Sequence, residues 1–91
     1  MTLEELYKTI ISRKTELPES SYVASLFKSG EDRIIQKVGE EATELVIAAK
    51  NTSKERLVSE TADLLFHILV LLAARGISLD EVMEELEKRK K

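Results

Sequence analysis

"LLFHILVLLAA", residues 64 to 74, is apolar on almost every side of a predicted helix, and only His67 interrupts it. A helix without a polar face must be surrounded by other helices. The remainder of a 91-residue chain could barely supply them, so the segment predicts a homodimer with this helix at the centre of the combined bundle. The apolar run is about half of a membrane span, and we therefore expect a soluble, cytoplasmic protein that is not inserted in a membrane.

Helix signals precede and follow this segment. The spacing of apolar residues predicts long helices over residues 2–14, 31–50 and 54–75, a short helix over 22–28, and a last helix from residue 78 to the C-terminus. Capping boxes mark three of the starts: Thr2 with Glu5, Thr52 with Glu55, and Ser78 with Glu81. No segment has the two-residue period of a strand. The sequence predicts an all-α fold of four main helices and a short one, in a single domain over residues 1–91.

The composition excludes several classes of protein. The chain has no cysteine, which rules out disulfides and thiolate metal sites. Its formal net charge is −3, its basic residues are scattered and it has no tryptophan, so a nucleic-acid-binding surface is not expected. Glu4 and Glu5 interrupt any apolar region at the N-terminus, so no signal peptide is expected either.

Acidic residues lie beside the apolar stripes of the two longest predicted helices. At about 100° per residue, Glu40, Glu41 and Glu44 fall within roughly a third of one helix circumference. They border a stripe formed by Ile34, Val38, Ala42, Leu45 and Ala49. On the next helix Glu60 and Asp63 share a face. The short connection at residues 51–53 favours antiparallel packing, which would bring the two acidic pairs together.

Converging carboxylates without cysteine suit a hard cation such as Mg²⁺ or Mn²⁺, which suggests phosphate-ester or phosphoanhydride chemistry. Arg33 and Lys37 lie in the same arc and could meet phosphate oxygens. On spacing alone, a solvated surface accounts for the acids about as well as a metal site does. Lys37 is equally explained as an ion pair with Glu41 one turn later. His67 is expected to be a packed, hydrogen-bonded histidine rather than a metal ligand.

Two longer stretches carry a resemblance to a known family. "SYVASLFKSGEDRIIQKVGEEATELVIAAKN", residues 21–51, and "ETADLLFHILVLLAARGISLDEV", residues 60–82, closely resemble the phosphoribosyl-ATP pyrophosphohydrolases. These belong to the wider all-α nucleoside triphosphate pyrophosphohydrolases, whose E-x-x-E and E-x-x-D motifs bind Mg²⁺. The resemblance extends over residues 3–87, and the K-V-G-E-E-A-x-E and E-x-x-D-L-L-x-H motifs are its most specific parts.

The resemblance implies hydrolysis of phosphoribosyl-ATP to phosphoribosyl-AMP and pyrophosphate, the second step of histidine biosynthesis. Water would attack the α–β phosphoanhydride with the assistance of Mg²⁺, for which Mn²⁺ is a possible substitute. The implied metal ligands are Glu41, Glu44, Glu60 and Asp63. Glu40 would be a further ligand or the group that orients water.

The phosphates, or the phosphoribosyl end of that substrate, have three candidate cations, Lys28, Arg33 and Lys37. The segment over residues 20–30, with Tyr22, would form a wall or lid of the site, unless Tyr22 only packs in the core. Two alternatives stay open: a general pyrophosphohydrolase of ordinary or damaged nucleoside triphosphates, and a helical dimerisation module without catalysis. Binding of Mg²⁺ or Mn²⁺ separates the module from both enzymes.

Overall fold

The computed structural model describes residues 1–51 and 53–90, and over these residues every regular element is an α-helix. The helices are α1 (Leu3–Glu16), α2 (Tyr22–Ser29), α3 (Glu31–Asn51), α4 (Lys54–Arg75) and α5 (Leu79–Lys88). The prediction of an all-α fold with a short second helix is confirmed.

Side-chain caps fix the starts of four helices. The predicted capping boxes at Thr2 and Ser78 are both present. The box predicted at Thr52 lies outside the described residues, and α4 begins after Ser53, whose hydroxyl accepts a hydrogen bond from the backbone N–H of Arg56. The hydroxyl of Ser21 caps α2 in the same way. A hydroxyl at each of these positions satisfies an otherwise unpaired N–H of the first turn.

Two helix ends differ from the prediction by two or more residues. Helix α1 continues two residues further, to Glu16, and ends where Leu17 adopts the left-handed conformation. Pro18 is consistent with this end, because a proline disfavours the right-handed helical conformation in the residue directly before it. Helix α5 ends at Lys88 instead of reaching the C-terminus.

Helices α3 and α4 form an antiparallel pair, as the short connection predicted. Glu31 at the start of α3 pairs with Arg75 at the end of α4, and Glu44 pairs with Arg56 near the connection. Residues of α3 and α4 that face each other therefore lie at similar distances from the connection between the two helices. This register positions the acidic residues of the two helices.

The core lies around the C-terminal half of α4. Leu69, Val70 and Ala73 are buried there against α1, α2 and the start of α3. The residues that cover them are Tyr7 and Ile10 of α1, Leu26 of α2 and Ile34 of α3. The hydroxyl of Tyr7 also donates a hydrogen bond to the carbonyl oxygen of Ile77, which ties α1 to the segment before α5.

The N-terminal half of α4 has little cover. Val58 is 60% exposed, and an apolar groove of about 470 Å³ is lined by Leu57, Val58, Thr61, Ala62 and Leu65. The radius of gyration is 14.2 Å, compared with about 12 Å for a compact domain of this length, because the α3–α4 pair projects beyond the core. By length and composition alone α4 could cross a membrane, a test that the core helix of a soluble protein also passes. The homodimer stays a prediction.

Candidate metal centre

Three of the four predicted metal ligands meet between α3 and α4. One carboxylate oxygen each from Glu41, Glu60 and Asp63 lies within 4.8 Å of the others. Glu41 comes from the middle of α3, and the other two come from the second and third turns of α4. The antiparallel register produces this meeting, as expected from the spacing of the two acidic pairs. We call these three residues the acidic group.

Glu41 and Glu60 occupy positions where a helix pair normally has apolar residues. Along α3 the covered positions Ile34, Val38, Glu41, Leu45 and Ala48 follow alternating steps of four and three, and Lys37 and the predicted Ala42 are partly covered beside them. This is the spacing of an antiparallel helix seam, and it selects Ala48 instead of the predicted Ala49, which is exposed. The side chains of Glu41 and Glu60 are only 14% and 16% exposed. Partly buried carboxylates weaken the apolar packing of a helix pair, so these two residues indicate a role other than packing.

Glu44 does not join the acidic group in this structure. Its carboxylate lies 3.9 Å from the guanidinium of Arg56, which is also 3.7 Å from Glu60. Arg56 therefore bridges the second predicted ligand of α3 and the first of α4. The role of Glu44 as a ligand stays a prediction.

Glu40 lies at the exposed edge of the group and interacts with three neighbours on its own helix. Its carboxylate accepts a hydrogen bond of 2.9 Å from the Gln36 amide and lies 3.4 Å from Lys37 and 3.9 Å from Arg33. The Gln36 hydrogen bond, with the Lys37 and Arg33 charges, holds the pKa of Glu40 below its usual range. Glu40 is therefore an ionised carboxylate and a weak base.

Lys37 connects this edge to the acidic group. Its ammonium lies 3.6 Å from Glu41 as well as 3.4 Å from Glu40. Burial would lower the pKa of Lys37, but the hydrogen bond with Glu40 and the carboxylate charges of Glu41 and Glu40 outweigh it and raise that pKa. The ion pair expected four residues apart is present, and Lys37 remains a cation beside the carboxylates.

Lys28 lies elsewhere, in a separate cavity. This cavity of about 350 Å³ is lined by Lys14, Leu17, Phe27, Lys28, Glu31, Ile34 and Ala74. Ala74 is about 16 Å along α4 from Asp63, at the helical rise of 1.5 Å per residue. Eleven residues make slightly more than three helical turns, so Asp63 and Ala74 lie on one face of α4. Lys28 and the acidic group are thus separated along the same face.

His67 is packed and hydrogen-bonded, as predicted. It is 5% exposed, with Nδ1 at 2.7 Å from the backbone oxygen of Asp63 and Nε2 at 2.9 Å from the Tyr22 hydroxyl. Both ring nitrogens therefore have partners, and the donors that could hold a cation are carboxylate oxygens. An oxygen-only set fits Mg²⁺ or Mn²⁺ and would suit a softer metal poorly.

Sequence reasoning missed two contacts around the site. Arg56 precedes Glu60 by four residues, a spacing that predicts an ion pair, but its second contact with Glu44 crosses between helices. The hydrogen bond between Tyr22 and His67 joins residues 45 positions apart, and no local pattern signals it.

Comparison with known proteins identifies the family of the chain. The model of the phosphoribosyl-ATP pyrophosphohydrolase family matches residues 3–90. Proteins named phosphoribosyl-ATP pyrophosphatase are 57% identical in Metallosphaera sedula, over 98% of this chain and 96% of the relative, and 59% identical in Trichlorobacter lovleyi, over 96% and 81%. The relative of that name in Leptospira biflexa is 53% identical over 98% and 94%. The resemblance carried by the two acidic motifs is confirmed, and the chain belongs to the phosphoribosyl-ATP pyrophosphohydrolase family.

Proposed function

We propose that this protein hydrolyses phosphoribosyl-ATP to phosphoribosyl-AMP and pyrophosphate, the second step of histidine biosynthesis, with Mg²⁺ or Mn²⁺ held by the acidic group. The observation that carries the proposal is the meeting of Glu41, Glu60 and Asp63 in a chain of this family. Glu44 lies beside Arg56 at the rim, and we assign it as the fourth ligand. That assignment requires its contact with Arg56 to open.

The residues in and around the acidic group are assigned different roles in the reaction. A bound divalent cation supplies Lewis-acid neutralisation of the phosphate oxygens. Lys37, a cation at 3.6 Å from Glu41, is placed to contact a phosphate oxygen next to the carboxylates. Glu40 is ionised and held by Gln36, and its lowered pKa makes it a weak base. We therefore assign Glu40 to orienting the attacking water by accepting a hydrogen bond from it.

The phosphoribosyl group distinguishes the proposed substrate from ATP, and its extra phosphate needs a cation. Lys28 lies at the far end of α2, in the cavity about 16 Å from Asp63 along α4. Arg33 lies in the first turn of α3, where Glu31 and Ile34 line this cavity, and its guanidinium is 3.9 Å from Glu40. We assign Lys28 to binding the extra phosphate. We assign Arg33 to a contact with the substrate between that phosphate and the acidic group.

Replacement of Lys28 by alanine should narrow the preference for phosphoribosyl-ATP over ATP. Loss of one charge-assisted contact to a phosphate costs about 1.5–3 kcal/mol, or one to two decades in kcat/KM. The measurement is kcat/KM on phosphoribosyl-ATP and on ATP, with Lys8→Ala as the matched control because Lys8 is an exposed lysine on α1. An unchanged ratio for the Lys28 variant would place the extra phosphate elsewhere.

The same assay tests the proposed function against its rivals. We expect phosphoribosyl-ATP to be hydrolysed much faster than ATP or dCTP. Equal rates on all three would favour a general nucleotide pyrophosphohydrolase, which shares the metal site and lacks the contacts to the phosphoribosyl group. A protein that binds neither Mg²⁺ nor Mn²⁺ would instead be the dimerisation module.

We further propose that a second copy of the chain covers the apolar groove of α4, in the cytoplasm and away from membranes and nucleic acid. Lipid is a poor cover, because Glu60 and Asp63 lie within the same apolar helix, and an aspartate at the centre of a membrane helix costs about 2.5–3.5 kcal/mol. Helical geometry places the groove residues and these two acids on opposite sides of α4. A partner in the groove would therefore complete the bundle without covering the acidic group from that side.

A further inference from the structure

Tyr22 combines a hydrogen bond to a buried residue with a large exposed surface. Its hydroxyl lies 2.9 Å from Nε2 of His67, which is buried, and yet the residue as a whole is 49% exposed. A surface tyrosine usually packs its ring and leaves its hydroxyl in water. Here the hydroxyl is the anchored end, although about half of the residue is exposed.

The anchor is fixed by a chain of two hydrogen bonds. The backbone oxygen of Asp63 can only accept, so Nδ1 of His67 donates to it across 2.7 Å. In the neutral imidazole Nε2 is then the acceptor, and the Tyr22 hydroxyl donates to it. Because Asp63 also contributes its carboxylate to the acidic group, a single histidine separates the tyrosine from that group.

Neighbouring rings fix the orientation of Tyr22. The Phe66 ring lies nearly parallel to it, with 6.2 Å between centroids and 22° between planes. The His67 ring meets it edge-on, at 5.8 Å and 78°. Phe66 lies beside one side of the ring and His67 holds the hydroxyl, so the 49% of the residue that is exposed leaves room for a ligand on the opposite side. Such a preorganised aromatic face loses little entropy when a flat ligand stacks on it.

We propose that the open face of Tyr22 is the platform on which the purine base of the substrate stacks, and this inference rests on the proposed function. Every base has a π-face that stacks on an aromatic side chain, with a contribution of about 1–3 kcal/mol per base. With the triphosphate at the acidic group and Lys37, the ribose bridges the interval from the phosphates to the ring. Helix α2 then leads from Tyr22 at its first residue to Lys28, the cation assigned to the extra phosphate.

Two probes separate stacking from a structural role, namely α,β-methylene-ATP and inorganic tripolyphosphate, each titrated with Mg²⁺ present. Tyr22→Leu removes the ring and should weaken binding of the nucleotide analogue by about tenfold or more. Its affinity for tripolyphosphate should change by less than about twofold. Tyr22→Phe keeps the ring and loses its anchor on His67, so it should bind the nucleotide analogue more tightly than Tyr22→Leu does. Circular dichroism checks that each variant remains helical.

Two outcomes would overturn the platform while leaving the proposed function intact. In one, the leucine variant binds the nucleotide analogue as tightly as the wild type. In the other, it loses both probes equally, which would mean that Tyr22 acts on the acidic group through His67. If the wild type does not release pyrophosphate from phosphoribosyl-ATP in the presence of Mg²⁺, the proposed function falls and the platform with it.

A fluorescent variant gives a readout that does not depend on the loss of affinity. The natural chain has no tryptophan, so Tyr22→Trp introduces a single one. A purine stacked on the indole should quench its fluorescence when the nucleotide analogue is added, whereas tripolyphosphate should leave it unchanged. Binding of the analogue without quenching would overturn the proposal.

Discussion

Glu41→Gln should lower the rate of pyrophosphate release from phosphoribosyl-ATP by about a thousandfold or more, because several kcal/mol of charge stabilisation leave with the cation. The amide has nearly the same shape as the carboxylate but cannot provide the charge that holds a divalent ion. Helicity should be retained, and stability without metal should be equal or higher, since the three clustered carboxylates repel one another. Lys37 keeps its contact with Glu40 in this variant. The measurements are turnover at limiting Mg²⁺ and urea unfolding in chelator.

Comparison with other acidic positions makes this result specific. Glu60→Gln and Asp63→Asn should behave like Glu41→Gln, whereas Glu87→Gln, at an exposed position on α5, should keep native turnover. Glu44→Gln tests the fourth ligand, which the structure pairs with Arg56. Near-native turnover of Asp63→Asn at limiting Mg²⁺ would show that the acidic group does not hold the catalytic ion.

The double variant Val58→Glu with Leu65→Glu should be a monomer at micromolar concentrations at which the wild type is a dimer. Both residues line the apolar groove of α4. A carboxylate buried in an apolar interface without a partner costs at least several kcal/mol, and two related copies bring four of them together. Sedimentation velocity measures the change, and Met83→Glu is the control, since Met83 is as exposed as Val58 but lies on α5. A wild type that sediments as a stable monomer would contradict the proposed dimer.

The acidic group could be predicted from sequence because local signals suffice for it. Helix caps and a short connection fix an antiparallel pair, and the spacing of Glu60 and Asp63 places both on the face toward Glu41. The C-terminal end of the apolar stripe of α3 was predicted wrongly. A step of four from Leu45 leads to Ala49, whereas the seam of the packed helix pair takes a step of three there and leads to Ala48.

Contacts that depend on a third helix could not be predicted in this way. The partner of His67 is decided by how α2 packs across α3 and α4, which joins residues 22 and 67. Lys28 resembled Arg33 in sequence as a candidate cation, but the turn at Gly30 separates them, and Lys28 lines a cavity away from the acidic group. The orientation of Glu44 toward Arg56 likewise depends on a contact between two helices, because Glu44 lies on α3 and Arg56 lies on α4.

The most direct test of the account is the analysis by ³¹P NMR of the products formed from phosphoribosyl-ATP by metal-free protein, before and after Mg²⁺ is added back. We predict no product in chelator, and equal amounts of phosphoribosyl-AMP and pyrophosphate once Mg²⁺ is present. Release of orthophosphate would show that a different bond is cleaved. Pyrophosphate release at the same rate in chelator would contradict a metal centre at Glu41, Glu60 and Asp63.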